Sequence, residues 1–352
     1  MKIKAIDLFC GVGGLTHGLQ LAGINVVAGF DIEESCCYPY EINNKSKFIL
    51  SDVAKITREE IDLLLEGADV KIIAGCAPCQ PFSLYSQRYR KDGHKDDKWK
   101  LLYSFANIIK ECLPDIVAME NVPQLKHEEV FLDFVNTLEC LKYNVYFDIV
   151  FCPDYGVPQQ RKRLVLLASK TSQITMISPE ISNKNYKTVR QAIEHLPPIQ
   201  AGEICESDKL HQASRLSEKN LKRIKQSKPG RTWRDWDKGL ILSCHSKSSG
   251  KSYSSVYGRM SWDEVSPTIT TQFYGLGNGR FGHPEQDRAI SLREGAILQS
   301  FPPDYQFVSN DTKINKRKLG TQIGNAVPVE LGRAIGLSIL KSLEVDHEEE
   351  KK

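Results

Sequence analysis

Two cysteines three residues apart, Cys76 and Cys79, stand in GCAPCQPFS (75–83), directly after a continuously apolar run. A thiolate is a strong nucleophile, and the loop after a strand of an open α/β sheet is where such sheets bind ligands. Three readings are open. The pair could be a redox CxxC, although such motifs open a helix directly and Pro81 argues for a loop. It could be inert structure, or it could place one reactive thiol, Cys79, beside a bound substrate. Glu120, in ENVP (120–123), ends the next long apolar run. If the two runs are neighbouring parallel strands, their ends bring Cys79 and Glu120 together. A carboxyl group beside a thiol suits proton management on a polar substrate; a helix N-cap or a solvent-facing acid is the plainer alternative. In YGVPQQRKRLVLLA (155–168), Arg161 and Arg163 stand two apart at the start of a strand pattern, hence on one face. Two guanidiniums on one face suit an anion or a carbonyl, and a surface strand edge is the alternative.

A second group of residues points to a cofactor. DLFCGVGGL (7–15) follows one apolar run and opens a helical one. Glycines there let a ligand approach the backbone, and a helix N-terminus favours negative charge. The dinucleotide fingerprint GxGxxG would need glycine at position 16, where Thr16 stands, so the pattern is FxGxGG and NAD or FAD is disfavoured. Asp31 ends the second strand pattern 20 residues after Gly11, and Asp52 ends the third. Acids at such places bond ribose hydroxyls, which indicates an adenosine-type cofactor; a tight turn without a ligand is the alternative.

The elements that must position these residues alternate. Strand patterns at 3–9, 24–31, 48–53, 69–75, 115–121, 144–150 and 163–169 are separated by helical patterns at 14–22, around 59–67, at 100–113 and at 129–141. Short, continuously apolar strands between helices predict a doubly wound α/β sheet. The pattern stops near residue 170. Residues 187–288 are polar and rich in Gly, Ser and Lys. Helical patterns return at 291–301 and 328–343, the second with Pro328 at its start. The charged tail EVDHEEEKK is expected to fray.

The 352 residues correspond to about two domains at about 150 residues each. With 41% hydrophobic and 26% charged residues, the chain is neither fibrous nor wholly disordered. No apolar run approaches the roughly 18 residues of a membrane span, and MKIKAIDLFCG enters a strand pattern without room for a signal peptide. Neither disulfides nor a bound metal is expected of the ten cysteines, because CxxC occurs once and without a partner pair. The net charge of +3 argues against nucleic acid only as an average. Residues 187–288 hold 17 basic and 11 acidic residues, and KNLKRIKQSKPGRTWR (219–234) holds seven basic and no acidic ones. Such a stretch attracts phosphate backbones, or else forms a solvated helix face.

In this order, DLFCGVGG, the strand-end acids Asp31 and Asp52, GCAPCQPFS, ENVP, QQRKR, HPEQDRAISLREGAILQSFPPDY (283–305) and GTQIGNAVP (320–328) resemble the cytosine-5 DNA methyltransferases of bacterial restriction-modification systems. The resemblance spans nearly all of the chain outside the variable segment. It implies a Rossmann-like methyltransferase fold in which residues 1–186 and 289–352 form the catalytic domain. Residues 187–288 would form a smaller, mostly irregular or β target recognition domain, with WDEVSPTITTQF (262–273) its more regular part.

The resemblance also assigns roles. Cys79 would add to carbon 6 of a cytosine flipped out of duplex DNA. Glu120 would contact ring nitrogen 3 and the exocyclic amine, Arg163 would hold the base carbonyl, and Arg161 would assist. S-adenosylmethionine would lie on Phe9, Gly11, Gly13 and Gly14, with Asp31 on the ribose, Asp52 and Val53 at the adenine, and Ile32, Pro78, Asn325 and Val327 around it. Asn325 would brace the active-site loop, and the last helix would pack beside the first. Gln80, Ser83, Arg88, Arg90 and Lys91 would close over double-stranded DNA, and Lys222, Arg223, Lys225 and Arg231 would contact its phosphates. Two departures are mild: Asp31 stands where many relatives have Glu, and Ala77 stands where an aromatic residue or Pro is common. A monomeric, cytoplasmic, nucleoid-associated bacterial enzyme is implied, with a cognate restriction endonuclease as its counterpart and no membrane partner. An RNA cytosine methyltransferase is the alternative within enzymes, disfavoured by the absence of Cys-Phe-Thr; a catalytically silent DNA-binding protein is the alternative outside them.

Overall fold

The computed structural model of the chain describes residues 1–78, 96–179, 181, 185–250 and 252–349. The elements of the first half follow in chain order: β1 (Ile3–Leu8), α1 (Gly14–Leu21), β2 (Asn25–Asp31), α2 (Cys37–Asn43), β3 (Lys47–Leu50), α3 (Arg58–Leu64), β4 (Val70–Gly75), α4 (Asp96–Cys112), β5 (Ile116–Asn121), α5 (Glu129–Cys140), β6 (Asn144–Phe151), β7 (Gln159–Gln160) and β8 (Lys162–Ser169). Then come α6 (Val189–Ile193), α7 (Glu218–Gln226), α8 (Ser243–Ser246), β9 (Ser266–Pro267), α9 (Leu292–Leu298), α10 (Lys316–Asn325) and α11 (Val329–Glu349). They fall into two compact units. One comprises Met1–Tyr155, Lys162–Glu180 and Val327–Lys352, and the other Gly156–Arg161 and Ile181–Ala326.

The first unit is built on a seven-stranded sheet of order β3-β2-β1-β4-β5-β8-β6. Its strands read as continuous apolar runs because helices cover both faces. All six residues of β5 are buried, as are the last six of β8. Phe105 on α4 packs against Phe134 on α5, and Phe131 against Phe147 on β6. The sheet is not wholly parallel. β3, β2, β1, β4 and β5 pair in parallel, but β8 runs antiparallel to both β5 and β6. Only residues 152–161 separate β6 from β8. A parallel return needs a crossover of about a dozen residues or more, so this connection permits only an antiparallel entry.

Helix α11 closes the first unit against α1, as expected of the last helix. A Cβ added to Gly18 would lie 2.3 Å from the carbonyl oxygen of Val329, so the two helix backbones meet there. The expectation of no membrane-length apolar run needs correcting. Lys316–Glu344 reaches a mean hydropathy of 1.2 in its most apolar window, but 67% of that window is buried in the protein's own packing. This is the pattern of a core helix.

The second unit has little regular structure. β7 and β9 form a two-stranded ladder, and isolated bridges join 204 to 212, 229 to 259, 259 to 282 and 282 to 289. Within 262–273, expected to be the more regular part, only Ser266–Pro267 is strand. Irregular buried backbone leaves carbonyls without ladder partners, and here arginines supply the donors. Arg259, 5% exposed, donates to the carbonyls of Ile224, Ser227, His283 and Gln286 and pairs with Asp287. Arg288 forms two 2.7 Å bonds to Glu294, and both are buried. Burial pushes the Glu294 carboxyl up, but these Arg288 bonds outweigh it and hold it at about 2. The unit extends through α9 and α10 to Ala326. Residues 289–326, expected to complete the catalytic domain, group instead with residues 187–288, and the return to the first unit begins at Val327.

Candidate active site

The site grows from the C-terminal edge of the parallel strands. β4 and β5 are in register, with Gly75 opposite Met119, so the next residues, Cys76 and Glu120, leave the two strand ends side by side. The Cys76 thiol donates to Glu120 Oε2 at 2.8 Å. Asn121, 2% exposed, donates from Nδ2 to the carbonyl of Ala77 and accepts the backbone N–H of Val122 on Oδ1. It thereby ties the chain entering the Cys79 loop to the end of β5. Glu120 is itself buried, and its Oε1 lies 2.7 Å from Arg163 Nε. Arg163 reaches it because β8 is antiparallel: Asn121 lies opposite Leu164, which places the start of β8 at the end of β5. Arg163 Nη1 also donates to the carbonyl of Lys162.

Arg161 does not share that face. It precedes β8 and is 2% exposed, with Nη1 donating to the carbonyl of Ile269 and Nη2 to those of Gly324 and Ala326. Gln299 donates to the carbonyls of Ile323, Gly324 and Ala326, and also accepts from Gln159 Nε2. These groups fasten the backbone on both sides of Asn325, whose side chain is exposed.

The residues of the first unit expected to hold a cofactor stand at the other strand ends of the same sheet. Phe9 holds the left-handed backbone at φ 60, and its half-buried ring packs on the core. That conformation is rare for a side chain of this size and marks a constrained turn. Gly11 follows at φ 52, and a Cβ there would meet nothing within 4 Å, so its surface is open. Gly13, at φ 88, caps α1 ahead of Gly14. Asp31 accepts the backbone N–H of Gly11 on Oδ2 at 2.8 Å and that of Glu33 on Oδ1 at 2.9 Å. Asp52 accepts from Ala54 N–H at 3.0 Å. Each carboxylate oxygen has two lone pairs, so both acids keep capacity for hydroxyl or amine donors. Ile32 is an apolar side chain 74% exposed beside Asp31, Val53 is buried, and Pro78 is exposed. An open glycine turn, two acids with spare acceptors and an exposed apolar side chain fit an adenosine-bearing group. Val327 is buried.

Beneath the loop, Asp7 Oδ2 accepts from Thr16 Oγ1 at 2.7 Å, and the Thr16 hydroxyl lies 3.1 Å from that of Tyr40. Asp7 Oδ1 has no hydrogen-bond partner among the described residues. Burial, only partly offset by the Thr16 bond, pushes the Asp7 carboxyl up to about 7. Motif reading missed Asp7, Asn121, Gln159 and Gln299, and weighed Cys76 only as half of a CxxC pair or as inert structure. All of these stand inside the quoted blocks, but a motif does not tell which of its members touches which.

Among the expected DNA contacts, Lys222 and Lys225 are exposed on α7 and Arg231 is exposed beyond it. Arg223 departs from expectation. It is 7% exposed, donates to Leu240 O and Asn220 Oδ1, and lies over the rings of Trp236 and Tyr257. It is committed to packing. Cys79, Gln80, Ser83, Arg88, Arg90 and Lys91 lie outside the described residues.

Residues 3–341 match the profile of the C-5 cytosine-specific DNA methylases. The chain is 52% identical to the Type II methylase M.HgiDII of Herpetosiphon aurantiacus over 98% of its own length and 97% of that protein's. It is 32% identical to the Type II methyltransferase M1.BsuMI of Bacillus subtilis (strain 168), covering 97% and 81% of the two chains. Among solved structures, a putative DNA modification methyltransferase encoded within an Escherichia coli prophage superimposes with a TM-score of 0.74 at 22% identity, covering 97% of this chain and all of that one. The Schizosaccharomyces pombe Dnmt2 methyltransferase does so at 0.59 and 18%, covering 98% and 99%. The chain belongs to the C-5 cytosine-specific DNA methylase family and is a DNA cytosine-5 methyltransferase of the Type II restriction-modification kind.

Proposed function

We propose that the enzyme methylates a cytosine flipped out of duplex DNA, through transient addition of Cys79 to carbon 6 and with S-adenosylmethionine as the methyl donor. The observation that carries this reading is the buried Glu120 carboxylate, held 2.7 Å from Arg163 at the strand edge where the chain runs on toward Cys79. Carbon 5 of cytosine is a poor nucleophile. The Cys79 thiolate adds to carbon 6 while Glu120, entering the step as the carboxylic acid, delivers its proton to ring nitrogen 3, which leaves an enamine with electron density on carbon 5. Arg163 orients Glu120 and the base carbonyl. S-adenosylmethionine would supply the electrophilic methyl group for carbon 5. Loss of the proton from carbon 5 to water then expels Cys79 as the thiolate, and Glu120 recovers its proton from nitrogen 3. Gly11, Gly13, Gly14, Asp31, Ile32, Asp52 and Val53 would hold the donor, with Phe9 toward its adenine. Arg161 contributes by holding the carbonyls that flank Asn325.

The second unit serves as the target recognition domain, with Lys222, Lys225 and Arg231 toward phosphate. The enzyme works as a monomer on nucleoid DNA in the cytoplasm and protects sites that a cognate endonuclease would cut. The test is covalent capture on duplex DNA carrying 5-fluorocytosine, where carbon 5 has no proton to lose. The wild type should form a denaturation-resistant complex that depends on S-adenosylmethionine. Cys79→Ser should form none while still binding DNA, because a hydroxyl is a far weaker nucleophile. Capture by the serine variant at the wild-type rate removes Cys79 from the role.

A further inference from the structure

Glu120 has a neighbour at each oxygen, and the two differ in kind: at Oε1 it has the charge of Arg163 but no hydrogen bond among the described residues, and at Oε2 it has a hydrogen bond from a thiol. Arg163 Nε lies 2.7 Å from Oε1, while the Cys76 thiol donates to Oε2 at 2.8 Å. Cys76 is placed by the sheet itself, since the β4–β5 register sets it beside Glu120. The backbone just beyond it is fixed through the bond from Asn121 to the carbonyl of Ala77. The terminal torsion of a glutamate is broad. With the ion pair to Arg163 alone, the carboxylate could pivot about its one charged partner; the thiol's hydrogen bond to the opposite oxygen is directional and removes that freedom.

We infer that Cys76 is a positioning residue for Glu120: its thiol sets the rotation of the carboxyl group so that proton transfer to the flipped cytosine is aligned. This rests on the reading of Glu120 as the proton carrier. The consequence falls on the chemical step, because alignment within hydrogen-bond reach governs proton transfer rather than binding. Removing the donor should lower kcat and leave the KM for DNA and the affinity for S-adenosylmethionine unchanged. A thiol is a weak donor, so the effect should be roughly tenfold, near the lower end of what one hydrogen bond to a charged group provides.

The experiment compares Cys76→Ala, Cys76→Ser, Glu120→Gln and the double variant Cys76→Ala/Glu120→Gln, by steady-state methylation of duplex DNA and by the single-turnover rate of capture on 5-fluorocytosine DNA. Alanine and serine are nearly equal in size and differ in the donor. Cys76→Ala should lose kcat without a change in KM. Cys76→Ser should return to near the wild-type rate, and Cys76→Ala should cost nothing further in the Glu120→Gln background. An equal loss in the serine and alanine variants, or an undiminished loss in the Glu120→Gln background, overturns the inference while Glu120 keeps its role. A fully active Glu120→Gln overturns the reading of Glu120 and the inference with it.

Discussion

Two buried carboxyl groups of the first unit sit in opposite surroundings. Glu120 faces a guanidinium and a thiol, whereas Asp7 has one hydroxyl donor and no cation bonded to it. The folded protein therefore keeps a proton on Asp7 up to about pH 7, where an exposed aspartate would have lost it near 3.8. The sign follows from linkage. Between these values the folded state binds the proton that the unfolded chain releases, so this contribution to stability is full below 3.8 and is lost as pH rises through 7. Asp7→Asn retains an acceptor for Thr16 and cannot ionise. Its stability relative to the wild type should climb between pH 4 and pH 8, by on the order of 3 kcal/mol. Thermal unfolding at several pH values checks this, and an offset that does not change with pH would remove the explanation. Phe9 is the other unusual residue, since its left-handed backbone turns the chain from β1 into the glycine loop.

Among the elements, the α1–α11 pair and strand β8 decide most. α1 and α11 approach so closely at Gly18 that an added methyl group would lie 2.5 Å from the amide nitrogen of Arg333 as well as 2.3 Å from the Val329 carbonyl. Both are backbone atoms, so relief requires the helices to part. Gly18→Ala should lower the unfolding free energy by about 3 kcal/mol, at the upper end for overpacking, despite alanine's better helix propensity. Chemical denaturation measures it; an unchanged midpoint would mean that the helices can separate at no cost. α1 begins at the glycine loop, so cofactor affinity should fall in the same variant. Strand β8 carries Arg163 to Glu120 only because it runs against its neighbours. A parallel β8 would put Arg163 at the opposite edge of the sheet.

For the molecule as a whole, charge needs a distinction that composition cannot make. Arg223, Arg259 and Arg288 are among the 17 basic residues of 187–288, yet all three are buried and spend their donors on carbonyls and acids of their own unit. The surface share of the basic segment lies with residues such as Lys219, Lys222 and Lys225, which repeat every third position of α7 and are exposed. Lys222→Ala with Lys225→Ala should reduce the dependence of DNA affinity on salt by about two units of log–log slope, one per phosphate contact. Arg223→Ala should leave that slope unchanged and destabilise the fold by about 2 kcal/mol through lost packing and an orphaned carbonyl. Binding titrations across salt concentrations, with unfolding curves of the same variants, separate the two. A slope change in Arg223→Ala would return it to the DNA-contacting set.

Local pattern alone determined all seven strands of the main sheet and most of the helices of the first unit, and it singled out the blocks to which the family resemblance assigns the chemistry. Apolar periodicity and glycine placement act over a few residues, and the catalytic blocks are contiguous. α2, α10 and the short helices α6, α7 and α8 were missed: α2 is seven residues long with Pro39 inside it, and α10 begins Lys-Arg-Lys and puts two glycines on its buried face beside Leu319 and Ile323. Only the tertiary structure decided which residues of a block meet. Cys76 bonds Glu120 because two strands lie in register, and Arg163 joins them because a ten-residue connection forces an antiparallel return. Arg161, two residues from Arg163, turns instead to the carbonyls around Asn325. The extent of the second unit, to Ala326, was hidden for the same reason. Its cohesion comes from buried arginines bonded to carbonyls far along the chain, and pairings at such separation leave no periodic trace in a sequence.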